Sequence, residues 1–358
     1  MTECAADGGD VGQEKNAVEK RARWASRGWI AVRIALAGLA FVALRRELAN
    51  VSASEVLSAI EGFGMIRVLA AVIVAAASFF TIGIFELMAL RDTARYEIGE
   101  PKWTVPARVA LMTAFVSNAL SQTIGLAVLT GSAIRMRVYS RYRMSAGAVA
   151  RVSGFVTITA TLGLLAAGAV ALVQTPAVLP PRFGVSLKMF GIALSIPAVA
   201  YLGWAIIGRG TIGRNGWRMH PPTRRVALAQ VTLSVLDWLL TGTVLFILLP
   251  ASATIGFAGF LGIYLVAQTA GVVSHVPGGF GVFEGAFISL ITLSDPTLST
   301  GVVAASLVVY RVVYYLLPLA IAMVIAAVAD LRATQPVIVI TTDRPAATGL
   351  IPERVNAA

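Results

Sequence analysis

Cysteine occurs once in the 358 residues, at Cys4, and histidine twice, at His220 and His275. A single cysteine excludes an intrachain disulfide and any CxxC metal site. Two histidines so far apart leave no HExxH pair, and P-loop, GxSxG and dinucleotide-binding glycine signatures are missing as well. Catalysis within this chain is therefore disfavoured, and neither a cofactor nor a metal is expected. Charge is also scarce: 13% of residues are Asp, Glu, Lys or Arg, with 18 acidic against 29 basic and a formal net charge of +11. In a soluble protein that excess would point to nucleic acid. Here the basic residues gather at the ends of apolar segments, so the expected partners are the membrane and its anionic headgroups, and not nucleic acid. A cleavable signal is not expected either, since the basic run Lys20, Arg21, Arg23, Arg27 leads into an apolar segment without a small-residue cleavage site.

What is abundant is apolar residue, 57% of the chain, in windows longer than the ~18 residues that cross a bilayer. Apolar segments run over 28–44, 65–90, 106–131, 146–173, 186–208, 226–249, 255–293 and 301–328, with a short amphipathic interfacial helix expected over 51–63. If every segment crossed, the arginine-rich loops 132–144 and 209–225 would both face outward. If 106–131 and 255–293 instead enter and leave on one side, all five basic stretches (the N-terminal tail, 91–108, 132–144, 209–225 and the C-terminal tail) become cytoplasmic. Only Arg45, Arg46, Arg67, Arg182 and Lys188 then remain outside, which is the expected asymmetry. The fold class read from this is an all-α polytopic membrane protein of about six full spans plus two re-entrant broken hairpins, one opening from each face, arranged as an inverted repeat. A cytoplasmic basic tail (1–27) precedes the membrane domain (28–330), and a cytoplasmic polar tail (331–358) follows it, in a bacterial inner membrane.

The sharpest chemistry lies in S-H-V-P-G-G-F-G-V-F-E-G-A-F-I-S-L, residues 274–290. Pro277, Gly278, Gly279 and Gly281 break any helix, and broken backbone at membrane depth is tolerated only where protein or water satisfies it. A half-helix starting near Gly281 would aim its positive dipole end into the protein, a seat for an anionic group. Ionisable residues at membrane depth are functional candidates by default. Arg33 lies close enough to the basic collar to snorkel. Glu86 reads equally as half of an interfacial pair with Arg91 or as a ligand. Asp237 sits mid-span with neither end in reach. Glu284 is either a first-turn acid satisfying its own helix or a cavity group, and His275 either a satisfied core histidine or a proton carrier. Arg311, Tyr314 and Tyr315 share one helical face, so the arginine either grips a phosphate or neutralises Glu284 or Asp237. Arg151 and Asn118 complete the intramembrane set, and Arg135 either meets the leaflet surface or faces the cavity.

The stretches 274–284 and Y-R-V-V-Y-Y-L-L-P (310–318), with A-L-S-Q-T-I-G-L-A-V-L-T-G-S-A-I-R-M-R-V-Y (119–139) and V-L-D-W-L-L-T-G-T-V-L-F-I-L-L-P (235–250), resemble a known family. This is the transmembrane flippase region of multiple peptide resistance factor, also called the lysylphosphatidylglycerol synthase transmembrane domain, and the resemblance covers about residues 28–330. It implies movement of aminoacylated phosphatidylglycerol, often lysyl, to the outer leaflet, which lowers surface negative charge and resists cationic peptides. It also implies a homodimer, with Asp237, Glu284 and Arg311 lining a lipid cavity: carboxylates for the lysyl ammonium groups, and Arg311 with the half-helix end for the phosphate. Full-length members continue into a cytosolic transferase domain, which the residues up to Ala358 do not contain. The expectation is a lipid flippase that is not itself an enzyme. The alternative is the membrane half of an aminoacyl-lipid synthase working with a separate catalytic domain.

Overall fold

A computed structural model describes residues 62–96, 103–124, 127–174, 187–208, 222–274 and 276–333, and every regular element in them is helical. The N-terminal tail (1–27), the expected span at 28–44, residues 51–61 of the interfacial helix, residues 334–358 of the C-terminal tail, and His275 lie outside the described residues.

Helix α1 (Met65–Arg95) shows how these sequences make membrane helices. Its buried positions Ala71, Ala75, Ser78, Phe79, Ile82, Phe85, Glu86 and Ala89 recur at three- and four-residue spacing, which is one face of a helix. Ile66, Leu69, Ile73 and Phe80 lie exposed on the other side. The exposed face is thus apolar, while Ser78, Thr81 and Glu86 point inward, the arrangement suited to a lipid surround. At 1.5 Å per residue α1 is about 46 Å long, more than a hydrocarbon core of about 30 Å.

Helices α2 (Ala107–Ile124) and α3 (Ala127–Tyr139) follow and pack on each other as two arms of a hairpin. A 3-10 turn (Ser140–Tyr142) with Arg143 in the left-handed region leads into α4 (Ala146–Gln174). Residues 132–139, read from sequence as loop, are helical. The arginine that made them look like a surface collar, Arg135, is satisfied inside the protein. Helix α5 (Leu187–Ile207) packs on α4, and α6 (Arg224–Ile247) lies against α1 and α4. The α4–α6 crossing is close: a Cβ on Gly163 would stand 1.9 Å from Ser234 Oγ, while Ser234 donates to the Thr159 carbonyl at 2.6 Å.

A second hairpin follows, α7 (Phe257–Val273) and α8 (Val282–Ser294), separated by a 3-10 turn at Pro277–Gly279. With 13 residues, α3 and α8 are each about 20 Å long, too short to cross a bilayer. The last apolar segment is α9 (Thr300–Arg311), a π-helical turn (Val312–Leu316) and α10 (Leu317–Ala333) in direct succession. Among the described residues, four helical stretches are long and apolar enough to cross a membrane: Met65–Arg95, Ala146–Val173, Arg224–Ile247 and Thr300–Val328; Gly191–Ile207 is a shorter apolar helix. Long helix, hairpin, long helix is therefore an order that occurs twice, with α5 between. An aromatic layer of Phe260, Tyr264, Phe283, Phe287 and Tyr310 fastens the second hairpin to α9.

Candidate functional site

Between the hairpins lies a cavity of about 480 Å³. α2 contributes Ser117, Asn118, Ser121 and Gln122; α6 contributes Asp237, Trp238 and Thr241; the second hairpin contributes Gln268, Gly271, Gly278, Gly279 and Phe283; the π-helical turn contributes Tyr314 and Tyr315. The 3-10 turn of the second hairpin packs directly on α2, so that turn and α2 bound the same space. Gly271 and Gly279 make that possible. A Cβ on Gly279 would stand 3.2 Å from Gly271 Cα, and Gly279 has φ +63, a left-handed value that favours glycine.

Four buried polar atoms here have no hydrogen-bond partner among the described residues: Ser117 Oγ, Asn118 Nδ2, Gln122 Oε1 and Gln268 Oε1. All four residues line the cavity. Buried polar groups normally find partners, so a cluster of unmet donors and acceptors around one space suits a polar guest or water.

Three charged constellations frame the cavity. In the first, Arg135 grips Glu86 with Nε at 2.9 Å and 3.0 Å from the two carboxylate oxygens and Nη2 at 2.7 Å, and Tyr139 donates to Glu86 at 2.6 Å. Glu86 is fully buried. The pairing of Glu86 with Arg91 at an interface is therefore corrected: α1 turns Glu86 toward α3, and the partner is Arg135, whose bidentate geometry compensates the buried charge.

In the second, Arg311 donates to Glu284 through Nε at 2.6 Å and through Nη2, and to the Gly278 carbonyl through Nη1 at 2.9 Å. Its guanidinium carbon lies 4.5 Å from the Tyr315 ring centroid, with Phe280 and Phe283 on other sides. Glu284 also accepts from Gly281 N–H at 2.8 Å. Glu284 thus satisfies its own half-helix and neutralises Arg311 at once, and the arginine in turn holds the broken backbone at Gly278.

In the third, near the middle of α1 and α6, Ser78 donates to Asp237 Oδ1 at 2.6 Å. Ser78 lies 2.9 Å from Tyr314 OH and 3.3 Å from Thr241 Oγ1. Thr241 Oγ1 lies 2.9 Å from Tyr314 OH and donates to the Asp237 carbonyl at 2.8 Å. The face shared by Arg311, Tyr314 and Tyr315 is divided. The π-helical turn, in which Leu317 N–H reaches back to the Val312 carbonyl, widens the helix where these residues emerge. Tyr315 stays with Arg311, and Tyr314 turns to Ser78 and Thr241.

Of the residues expected in the site, Asn118, Arg135, Asp237, Gly278, Gly279, Tyr314 and Tyr315 line the cavity. Glu284 and Arg311 stand behind it, holding Gly278 and stacking beside Phe283 and Tyr315. Gly281, with φ +78, starts α8 just outside the lining. Pro277 opens the 3-10 turn. Arg151 is not among the lining residues, and His275 lies outside the described residues. Ser78, Ser117, Thr241 and Gln268 were missed by sequence reasoning. Their only signal was polarity inside apolar runs, which a serine or threonine bonded to its own helix produces equally. Among the described residues, no three His, Cys, Asp or Glu side chains gather into a metal-binding group.

The chain is similar to several bacterial proteins. A Synechocystis sp. protein, "Uncharacterized protein slr0712", is 32% identical over 290 residues, covering 78% of this chain and 85% of its own. "Inner membrane protein YbhN" of Escherichia coli is 28% identical, covering 75% of this chain and 82% of its own. The "Phosphatidylglycerol lysyltransferase" of Staphylococcus xylosus is 22% identical over 83% of this chain but only 33% of its own length. Residues 28–322 match the model of the lysylphosphatidylglycerol synthase TM region, and the chain with its paired hairpins belongs to that family of membrane proteins.

Proposed function

We propose that this protein moves a phospholipid between the leaflets of a bacterial inner membrane, its headgroup passing through the cavity between the two hairpins. The observation that carries the reading is the cluster of unpartnered Ser117, Asn118, Gln122 and Gln268 atoms around a space of about 480 Å³, bounded by α2 and by the helix break of the second hairpin. Such a space takes a polar headgroup while the apolar outer faces of the helices leave acyl chains in lipid. Asp237 is suited to a positive group on that headgroup, and an aminoacylated phosphatidylglycerol such as lysyl-phosphatidylglycerol has one. The proposed topology is six spans with two re-entrant hairpins opening from opposite faces. It makes the repeated order of long helix, hairpin, long helix an inverted repeat, which suits alternating access. Export of a cationic lipid would contribute to resistance against cationic peptides.

A second reading is favoured by the lysyltransferases that align over a third of their length: the membrane half of an aminoacyl-lipid synthase acting with a separate transferase. One experiment separates the two. Total lipid is measured by mass spectrometry, and outer-leaflet amines by an impermeant label, with and without the protein. Unchanged totals with a smaller exposed amine fraction on deletion support translocation; disappearance of an aminoacylated lipid supports synthesis; no change in either overturns both.

A further inference from the structure

Among the described residues, three carboxylates stand at or beside the cavity, and two are neutralised within the chain: Glu86 by Arg135 and Glu284 by Arg311. Asp237 is left out of both pairs. Its carboxylate accepts from the Ser78 hydroxyl, and only 8% of the residue is exposed, toward the cavity. Among the described residues, the groups that face it come from several packed elements. α1 presents Ser78, with Glu86 two turns further on and held by Arg135. α2 presents Asn118 and Gln122, and α3 presents Arg135 across the cavity. α4 presents Ala160 and Thr161, with Trp238 of α6 donating to the Ala160 carbonyl. α5 reaches α6 through Tyr201, bonded to Gln230. α7 presents Tyr264 and Gln268, and the π-helical turn Tyr314 and Tyr315, with Arg311 held by Glu284. The tyrosines carry no charge at neutral pH.

A carboxylate at membrane depth with only hydroxyl donors is poorly compensated and takes up a proton or a cation. We infer that Asp237 alternates between the two, holding a proton when the cavity is empty and the positive group of the headgroup when it is loaded, so that lipid moves one way in exchange for a proton moving the other. This rests on the translocation reading above. When an ammonium group enters from one face, the Asp237 O–H bond breaks and its proton passes to water on that face, leaving carboxylate against ammonium. When the lipid departs on the opposite face, water there returns a proton to the carboxylate. No electrons move. The surrounding hydroxyls accept both states without displacement of heavy atoms. Ser78 donates to the carboxylate; to the protonated acid it becomes the acceptor and turns its own hydrogen toward Tyr314 or Thr241, 2.9 Å and 3.3 Å away. The exchange keeps the charge at Asp237 compensated throughout, and gives the inward proton gradient a means to drive an ammonium-bearing lipid outward.

The test uses the full chain in vesicles of phosphatidylethanolamine and phosphatidylglycerol, with a pH-sensitive dye inside and acyl-labelled lysyl-phosphatidylglycerol or phosphatidylglycerol as probe. Lysyl-phosphatidylglycerol is expected to collect in the leaflet facing the more acidic side, with lumenal pH shifting as it moves, and phosphatidylglycerol to produce no proton movement. Asp237→Asn should abolish the response to the gradient and Asp237→Glu retain it. Should Asp237→Asn fail to fold, proton release decides the matter: adding lysyl-phosphatidylglycerol to unbuffered wild-type protein in detergent should release a proton for each lipid bound. Transfer that ignores the gradient, or binding without proton release, overturns the exchange and leaves translocation standing. Transfer of neither probe by the wild type overturns translocation and the exchange with it.

Discussion

At the scale of single residues, the buried Glu86–Arg135 pair is the clearest case of a charge kept by its partner. Glu86 is surrounded on three sides by Arg135 and Tyr139 donors, so Glu86→Gln leaves an uncompensated guanidinium inside the protein. Loss of one partner of a buried pair costs about 3–5 kcal/mol, whereas replacing both by apolar residues of similar volume is close to neutral. The expected outcome is a large fall in the thermal midpoint of detergent-solubilised Glu86→Gln, and recovery of most of it in Glu86→Leu/Arg135→Met. An equal fall in both would show that the pair itself, and not the orphaned charge, sets the cost. Glu86 also illustrates what a sequence hides. Its position near the end of an apolar run points to the interface, and only the rotation of α1 against α3 puts it inside.

At the scale of elements, the second hairpin is tied at its break and again at its exit. At the break, Gly279 and Gly281 both have positive φ, but a Cβ meets the Gly271 backbone only at Gly279; at Gly281 nothing lies within 4 Å. Gly281→Ala therefore carries only left-handed backbone strain, about 1–2 kcal/mol, while Gly279→Ala adds the displacement of α7 from the turn. Thermal unfolding of the two variants should show Gly279→Ala the less stable; equal midpoints would mean the Gly271 contact yields freely. At the exit, Asp295 follows α8 and accepts hydrogen bonds from the Thr297 hydroxyl and from the backbone N–H groups of Thr254 and Ile255. The Thr297 bond leads and the backbone bonds add to it in holding this carboxyl down to about 2. Its folded value is below its ordinary one, so its contribution is fully present above about pH 4 and is lost as pH falls toward 2. The thermal midpoint of the wild type should drop through that window more steeply than that of Asp295→Asn, and parallel curves would remove Asp295 from the account.

The elements themselves were largely legible. The apolar runs at 65–90, 146–173, 226–249 and 301–328 correspond to long helices, and the Pro-Gly-Gly break at 277–279 falls where α7 and α8 part. The π-helical turn at Val312–Leu316 was not legible, because nothing in Y-R-V-V-Y-Y departs from ordinary helical composition. The widened turn comes with the seating of Tyr314 against Ser78 and Tyr315 against Arg311, contacts between segments far apart in the chain.

At the scale of the whole molecule, the hairpin topology makes a prediction about sidedness. In a Cys4→Ser background, Arg91→Cys and Ser140→Cys should be labelled by an impermeant thiol reagent from the cytoplasmic side, and Ser252→Cys and Ser294→Cys from the opposite side. If Ser140→Cys and Arg91→Cys label from different sides, the first hairpin crosses the membrane and the inverted repeat fails. The sequence by itself determined that this chain is a helical membrane protein, that the Pro-Gly-Gly run at 277–279 breaks a helix, and that Asp237, Glu284 and Arg311 lie within apolar segments. Those properties depend on local composition and on the cost of polar backbone in hydrocarbon. Tertiary structure alone decided which charges cancel: Arg311 takes Glu284, Arg135 takes Glu86, and Asp237 is left with Ser78. Compensation of a buried charge depends on distances of a few ångströms between helices, and α1 and α6, which bring Ser78 to Asp237, are joined only by the packing of the folded chain.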